Sequence, residues 1–510
     1  MKIQPAPRSA SAIPITKVEE SNRLSQPTAL LVAAIVVLTL ARVLVAGNTG
    51  LTDDEAYYRL WGLAPALGYL DHPPMVGWMI AAGRWIAGDN PLGIRLGAVL
   101  VSLAGPFILW RTTSLLFGPR VALRAVWIAL AMPLMAVGGV IVTPDTPSVL
   151  FWGLSAWALA ELHVSRNANW WLIVGAFAGL GLLSKYSNLF VGAGIMLWLL
   201  AVPANRCWFR AWQLWAGGVL AGVLALPVVL WNAQHDWVSF AKQFGRVGHG
   251  HQLTAHYLGE LAGAFFGLAS PGIAALALLG LAKVIRSASA KRDQPNAMVA
   301  AGILPLLSYF LLHALHDRVQ PNWLAPLYPS FAICAAIALA TIDKARSPEN
   351  LFGSLGKGAL AVGFVLSGLI YIHVVTPLAQ IPGLKDPSSQ MRGWRQLAAD
   401  VERARAATGA CWIATSSYAT TGQLAYELKG KAPVAQLTER LRYLHLPAVD
   451  DATLACPALY VELERRSSES LLKERFRSVS FVTNVVRKDR AAIASYAIYL
   501  VAGPYPGALP

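Results

Sequence analysis

Long runs of apolar residues, each about the length of a membrane-spanning helix, recur through the first 380 residues of the chain. A helix needs about 20 such residues to cross the hydrocarbon core of a bilayer. The first span is predicted from about Pro27 to Ala46. Further spans are predicted to begin near Leu92, Val121, Thr146, Trp170, Asn188, Trp212, Tyr257, Ala297, Asn322 and Lys357. The pattern therefore predicts an all-α membrane bundle of about 11 spans.

The pattern changes after residue 380, where apolar runs shorten and charged residues become more frequent. Trp394 to Ala407 has the period of an amphipathic helix. Segments typical of strands lie at Cys411 to Thr415, Ala458 to Glu462, Val479 to Val486 and Tyr496 to Val501. We expect a cytoplasmic tail over 1–26, a membrane domain over 27–380 with its first outer loop over 47–91, and a soluble α/β domain over 381–510.

Composition and charge fix the class and orientation of the chain. Hydrophobic residues make up 55% and charged residues 14%, which excludes a soluble globular protein. The net charge of +15 does not require a nucleic-acid partner, because Lys and Arg collect on the cytoplasmic loops of membrane proteins. Alternate connections carry such clusters, and an odd number of spans places the C-terminal domain outside. In a bacterium this is the periplasmic side of the inner membrane; the lumen of the endoplasmic reticulum is the eukaryotic equivalent.

Carboxylates, histidines and lone cations gather in the other set of connections, on the predicted outer side. They occur in the runs Asp53-Asp54-Glu55, Asp71-His72-Pro73-Pro74, Thr143-Pro144-Asp145, Ser184-Lys185-Tyr186, His235-Asp236, His249-Gly250-His251 and His316-Asp317-Arg318. Ionisable groups at a membrane edge are costly. Their gathering on one face therefore indicates a functional site.

The chemistry of these groups suits transfer of a sugar. A carboxylate such as Asp54, Glu55 or Asp145 could take a proton from an attacking hydroxyl, although a solvated turn is the alternative. Lys185 and Arg318 could hold a phosphate in a water-poor cleft. Both could instead extend their charged ends toward the interface.

For two arginines at the ends of spans, extension toward the interface is the favoured interpretation. They are Arg42 in the first span and Arg95 in the second.

Two further interpretations concern metals and cysteines. Weak candidate metal ligands are Glu55, His72, His249 and His251, but the His-Gly-His run lacks a zinc pattern, and no cofactor is required. A divalent ion bridging acidic groups and a phosphate remains an alternative. Cys411 and Cys456 are predicted to form a disulfide in an oxidising compartment, with two buried free thiols as the alternative.

Five of these motifs together resemble those of the membrane glycosyltransferases that use a sugar linked to a polyprenyl phosphate. They are Asp54-Glu55-Ala56-Tyr57-Tyr58, the run from Gly68 to Met75, Thr143-Pro144-Asp145, Leu183-Ser184-Lys185-Tyr186 and the run from Asp317 to Trp323. This family 39 and protein O-mannosyltransferase-like group includes the aminoarabinose and galacturonic acid transferases of lipid A. The resemblance implies a C-type glycosyltransferase fold, an active site at the outer membrane surface and an undecaprenyl or similar polyprenyl phosphate sugar as donor.

The resemblance also implies roles for individual residues. Asp54 would be the base or would orient the acceptor, Asp145 would be the second acidic group, and Glu55 belongs to the same candidate catalytic set. The expected substrate-binding residues are Tyr57, Arg59, Asp71, His72, Lys185, Tyr186, Arg318 and Asn322, with Lys185 and Arg318 as donor-phosphate contacts.

Two features depart from the family pattern. Asp53 precedes Asp54, and we choose Asp54 because it adjoins Glu55. The aminoarabinose-transferring relatives have Glu-Lys where this chain has Asp71-His72, so the resemblance does not by itself imply the same phosphate contact or the same sugar.

The leading functional hypothesis is transfer of a sugar from a polyprenyl phosphate donor to an envelope acceptor, lipid A or the lipopolysaccharide core. Protein O-glycosylation is the alternative within the same class. A lipid or sugar transporter is the alternative of another class, but transporters place their binding groups near the bilayer midplane, often within paired repeats. No internal repeat is visible here, and the ionisable residues lie at predicted helix ends.

Overall fold

Helices dominate the first three quarters of the chain in the computed structural model, which describes residues 26–245, 253–291, 293–346, 350–378 and 386–506. The predicted cytoplasmic tail, apart from residue 26, and the predicted domain boundary near 380 lie outside the described residues. The helices of this half are α1 Gln26–Asn48, α2 Asp53–Leu63, α3 Met75–Ala87, α4 Pro91–Phe117, α5 Pro119–Ala131, α6 Pro133–Gly138, α7 Asp145–Ser165, α8 Trp170–Leu182, α9 Leu189–Ala201, α10 Trp212–Gln234, α11 Val238–Phe244, α12 His256–Ala269, α13 Pro271–Lys291, α14 Gln294–His313, α15 Tyr328–Arg346 and α16 Ser354–Val375.

Seven helices among the described residues are long and apolar enough to cross a membrane. The number rises to eight if the bent pair formed by Tyr186–Ala201 and Pro203–Arg210 is one span. The chain is therefore a multi-pass membrane protein, as predicted. Other predicted spans correspond to shorter helices, since α5 and α8 have 13 residues each.

The predicted span that begins near Tyr257 is interrupted in the structure. Ser270 has a left-handed backbone with φ of 69°, and α13 begins at Pro271. Proline lacks the amide proton that a continuous helix would need at this position, so the chain breaks into α12 and α13. This break was not predicted from the apolar pattern.

The main hydrophobic core of the bundle lies where α5, α13, α14 and α15 pack together. A second cluster surrounds α2 and α3, the two helices of the first outer loop. Helix α2 begins with a capping box in which the side chain of Thr52 accepts from the amide of Glu55 and the side chain of Glu55 accepts from the amide of Thr52. This cap fixes the direction in which the first turn presents its three acidic residues.

Residues 386–506 form the predicted α/β domain, which we call the C-terminal domain. Its helices are α17 Trp394–Thr408, α18 Tyr418–Glu427, α19 Asp451–Ala455 and α20 Glu469–Lys473, and its strands are β1 Trp412–Thr415, β2 Val434–Gln436, β3 Ala458–Leu463, β4 Phe476–Lys488 and β5 Ala492–Pro504. The strand order is β2-β1-β3-β5-β4, with β1 parallel to both of its neighbours and β5 antiparallel to both of its own. Strand β2, only three residues long, was not predicted.

The predicted disulfide between Cys411 and Cys456 is confirmed, with a separation of 5.9 Å between the two Cα atoms. The pairing of Trp412 with Ala458 explains why these cysteines meet, because each cysteine lies just before one of two adjacent parallel strands.

The C-terminal domain packs directly on the first outer loop. Helix α18 lies against α2, and a Cβ atom at Gly422 would be 2.7 Å from the amide nitrogen of Tyr57. A side chain at this position would therefore separate the two helices. This contact brings residues that are more than 350 positions apart into one site.

Candidate active site

A cavity of about 400 Å³ lies between α1, α4, α5, α6 and α7. One end is polar and carries Thr52, Asp54, Asp145, Asn322 and Gln390. The remaining walls are mostly apolar and include Val101, Ile108, Leu109, Leu130, Leu150, Ala156 and Ile333. Because Ala156 follows Asp145 by 11 residues in α7, the apolar part extends about 16 Å from the polar end. The cavity can hold part of an apolar chain below a polar group.

Asp54 lies in the first turn of α2 and opens into this cavity. Its Oδ1 accepts a hydrogen bond from the hydroxyl of Tyr418 in the C-terminal domain, at 3.2 Å. The side chain of Asp54 is exposed to the cavity, yet desolvation by the surrounding protein raises its pKa. The hydrogen bond from Tyr418 lowers that pKa, and the neighbouring carboxylates Asp53, Asp71 and Glu55 raise it. A carboxylate with a raised pKa is a stronger base, which suits proton abstraction.

Asp145 lies at the first residue of α7, on the wall of the same cavity. Its Oδ1 is 2.5 Å from the ammonium of Lys185, and its Oδ2 accepts from the side-chain amide of Asn322, also at 2.5 Å. The structure thus joins three predicted residues from three separate connections. Because the ammonium is held by Asp145, Lys185 does not line the cavity as a free phosphate ligand.

Asp71 forms a second charged cluster beside the first. Its Oδ1 lies 2.5 Å from the Lys242 ammonium, and its Oδ2 lies 2.5 Å from the Arg442 guanidinium. The Tyr57 hydroxyl also donates to Oδ2, at 3.0 Å. Burial alone would raise the pKa of Asp71, but Arg442 and Lys242 outweigh it and hold that pKa below the ordinary value. With its oxygens occupied, Asp71 orders the site instead of presenting a free base.

His72 lies between the two charged clusters. Burial lowers its pKa to about 4, with opposing influences from the pairs Asp71–Lys242 and Asp145–Lys185. The imidazole is therefore neutral at pH 7, and it packs edge-on against the rings of Tyr58 and Trp61. A neutral imidazole can donate or accept a hydrogen bond but adds no charge for a phosphate.

Glu55, which belongs to the predicted catalytic set, is not among the residues that line the cavity. Its side chain is fully buried, and its two oxygens pair with Arg95 at 2.8 and 2.7 Å. The amides of Thr52 and Val142 donate to the same carboxylate. All its hydrogen-bonding capacity is thus used in packing α2 against α4.

The favoured interpretation of Arg95, extension toward the interface, is wrong. This arginine has no exposed surface, and it also donates to the carbonyl oxygens of Ala46, Thr49 and Gly50.

Two other expected substrate-binding residues also have structural partners. Arg59 forms a two-pronged ion pair with Asp89 and lies over the ring of Tyr426 in the C-terminal domain. Tyr186 shares a hydrogen bond with Ser239 at 2.8 Å. Both side chains tie neighbouring connections together, and neither is among the residues that line the cavity.

The expectation that Arg318 holds the donor phosphate does not fit its position. Its side chain is 59% exposed and pairs with Glu260 on α12 at 2.8 Å. Arg318 and Asn322 belong to one motif, but the backbone turns between them. The Asn322 side chain therefore lines the cavity, whereas the Arg318 side chain does not.

Three residues that were not predicted from the sequence also contribute to the site. Tyr418 and Arg442 belong to the C-terminal domain, where no local motif marks them as partners of a membrane helix. Lys242 is a lone cation in a predicted outer connection and could have been selected on that signal alone.

The weak candidate metal ligands do not form a cluster among the described residues. Among the described residues, no three His, Cys, Asp or Glu side chains are arranged to hold an ion. The candidates His249 and His251 lie outside the described residues, and the oxygens of Glu55 are already paired.

The helical bundle with its C-terminal domain has the C-type glycosyltransferase fold. The crystal structure of ArnT from Cupriavidus metallidurans bound to undecaprenyl phosphate aligns over 92% of this chain and 98% of that chain, with a TM-score of 0.63 and 16% identity. Arabinofuranosyltransferase AftD from Mycobacteria aligns over 93% of this chain and 40% of that chain, with a TM-score of 0.52 and 15% identity. The predicted fold class is confirmed.

Residues 71–231 match the family described as dolichyl-phosphate-mannose-protein mannosyltransferase, in agreement with the resemblance that the motifs indicated. Lipid A galacturonosyltransferase RgtD of Rhizobium johnstonii is 29% identical over 303 residues, covering 58% of this chain and 63% of that protein. The undecaprenyl phosphate-alpha-4-amino-4-deoxy-L-arabinose arabinosyl transferase of Pseudomonas paraeruginosa is 28% identical over 335 residues, covering 62% and 58%. The chain thus spans about six tenths of the length of these curated relatives.

Proposed function

We propose that this protein transfers a sugar from a polyprenyl phosphate donor, such as an undecaprenyl phosphate sugar, to lipid A or the lipopolysaccharide core. The observation that carries the proposal is a carboxylate of raised pKa, Asp54, at the polar end of a cavity whose other walls are apolar. Such a cavity suits a long prenyl chain, and such a carboxylate suits a hydroxyl that must lose a proton. The names of the two relatives, both of which act with lipid A or an undecaprenyl phosphate sugar, support the same substrates.

In the proposed reaction an acceptor hydroxyl oxygen attacks the anomeric carbon of the donor sugar. Asp54 takes the proton of that hydroxyl, and since Tyr418 occupies Oδ1, the proton goes to Oδ2. The bond between the anomeric carbon and the phosphate oxygen breaks, and its electron pair leaves with the polyprenyl phosphate. A single displacement of this kind inverts the anomeric centre.

Asp145 and the residues that hold it contribute position. Lys185 and Asn322 fix the two oxygens of Asp145 on the cavity wall, where the carboxylate can accept hydrogen bonds from sugar hydroxyls. A sugar held by such bonds presents its anomeric carbon in one orientation, which lowers the entropic part of the barrier.

We infer that the site faces the periplasm of a bacterial inner membrane. The Lys and Arg clusters of the opposite connections support this orientation, because such clusters stay on the cytoplasmic side. The packing of α18 on α2 supports a common side for the C-terminal domain and the first outer loop. No nucleotide sugar would then be needed in the compartment where transfer occurs.

Mass spectrometry of envelope lipids tests the proposal. A strain that lacks this chain should lose one sugar increment from lipid A or core species, and the wild-type chain should restore it. Unchanged lipid A and core spectra together with loss of a protein glycan would reject this acceptor in favour of O-glycosylation. Movement of donor lipid across the membrane without any glycosidic product would favour a transporter.

A further inference from the structure

Arg42 differs from the other buried arginines of the membrane half. Arg59 pairs with Asp89, Arg95 with Glu55 and Arg124 with Asp343. Arg42 is 2% exposed, yet among the described residues it forms no ion pair. Its Nε and Nη1 atoms are buried without a hydrogen-bond partner. Burying a guanidinium without hydrogen-bond partners costs folding free energy unless an anion neutralises its charge and accepts its hydrogen bonds.

The surroundings of Arg42 keep it in place at the wall of the cavity. The guanidinium packs against Gly139, where a Cβ atom would be 2.6 Å from Nε. The hydroxyl of Tyr371 on α16, which donates to the carbonyl oxygen of Ala136 at 2.7 Å, lies near the Arg42 side chain. Arg42 lines the same cavity as Asp54 and Asp145, and it is the one cation among the described residues that do so.

The position of Arg42 along the cavity identifies the kind of anion. Arg42 lies six residues before Asn48, the end of α1, which places it about 9 Å inside that helix end. The neighbouring Gly139 precedes Asp145 by one short connection. From its apolar depth toward its polar end, the cavity therefore presents apolar walls, then Arg42, then the carboxylates. A prenyl chain, its phosphate and a sugar follow one another in the same order.

We propose that Arg42 binds the phosphate of the lipid-linked donor, the place that sequence analysis gave to Lys185 and Arg318. This inference rests on the proposed function and deepens it. Two charge-assisted hydrogen bonds from Nε and Nη1 would hold the phosphate oxygens, and the same cation would stabilise the charge that develops on the leaving phosphate.

Binding measurements on the purified full chain in nanodiscs test this proposal without requiring turnover. Wild-type protein should bind undecaprenyl phosphate at least about tenfold more tightly than undecaprenol, since hydrogen bonds to a charged group are worth that much. Arg42→Met should remove this preference, and Arg42→Lys should retain part of it. The matched control Arg318→Met, which alters an exposed arginine paired with Glu260, should leave the preference unchanged.

The outcomes separate this inference from the proposed function. Failure of the wild-type protein to bind undecaprenyl phosphate would count against the proposed function itself. Sugar transfer by the wild type, together with an unchanged phosphate preference in folded Arg42→Met, would overturn only the role of Arg42. If Arg42→Met does not fold, Arg42→Lys decides, because full wild-type preference in that variant would contradict two specific guanidinium contacts. Equal competition by phosphatidylglycerol would assign the site to membrane phospholipid and reject the donor.

Discussion

Asp54 and Glu55 are neighbours in the first turn of α2, yet the two carboxylates lie in opposite kinds of environment. Asp54 opens into the cavity and receives one hydrogen bond, from Tyr418. Glu55 is fully buried and paired with Arg95. Successive residues of a helix point about 100° apart, so one turn can serve both a reaction site and a packing interface. Adjacency in a motif therefore does not mean a shared role.

Replacement of Asp54 gives the largest expected effect on transfer. Asp54→Asn should lower the rate about a thousandfold, because an amide cannot take the acceptor proton. Thermal stability should stay close to that of the wild type, since the asparagine oxygen can still accept from Tyr418. Transfer from an undecaprenyl phosphate sugar by purified protein, with differential scanning fluorimetry alongside, measures both quantities.

Asp53→Asn is the matched control for that comparison. Asp53 accepts from the side chain of Gln423, and it is not among the residues that line the cavity. Transfer by this variant should stay within about threefold of wild type. A loss in Asp53→Asn as large as that in Asp54→Asn would show that the carboxylates act through loop structure and not as a base.

The pH dependence of the wild-type rate follows from the same environment. The pKa of Asp54 is raised above its ordinary value, so the carboxyl becomes protonated, and inactive as a base, at a higher pH than an exposed aspartate would. The rate should therefore fall on the acid side, with a midpoint above that ordinary value. The residual rate of Asp54→Asn should lack this acid limb.

Replacement of Glu55, the other carboxylate, should mainly lower the stability of the protein. Glu55→Gln leaves the guanidinium of Arg95 buried without its counter-charge and should lower the free energy of unfolding by about 3–5 kcal/mol. Arg95→Met should destabilise by a similar amount, because it leaves the Glu55 charge alone. Thermal unfolding in detergent measures each change.

The double variant distinguishes a packing role from a catalytic one. Glu55→Gln combined with Arg95→Met removes both charges and should cost less than the sum of the single losses. Recovery of stability together with measurable transfer is expected. Recovery of stability with transfer as low as in Asp54→Asn would instead return Glu55 to the catalytic set.

Features set by residues close together in the sequence could be predicted, whereas contacts between residues far apart in the sequence could not. Apolar runs and strand patterns are local, so the helical bundle, the α/β domain and the pairing of Cys411 with Cys456 followed from them. The association of Asp145 with Lys185 and Asn322 was accessible because motif order and a shared side already grouped these residues. The contact of Tyr418 with Asp54 spans 364 positions and depends on how α18 docks on α2, which no local pattern encodes.

The direction of a side chain was the other quantity that the sequence could not supply. Arg42, Arg95 and Arg318 all looked alike as cations near predicted helix ends. One proves to be buried without a carboxylate, one is locked in an ion pair and one is exposed. Their chemistry differs because of which neighbouring helix each side chain meets.

Replacement of Arg318 should have the smallest effect of all. Its ion pair with Glu260 is largely solvent-exposed, and exposed pairs contribute about 0–1 kcal/mol. Arg318→Ala should therefore change stability by no more than that amount and transfer by less than about threefold, as measured in the same two assays. A hundredfold loss of transfer at unchanged stability would mean that Arg318 swings into the cavity when substrate binds, and the assignment of the phosphate to Arg42 would then have to be shared with it.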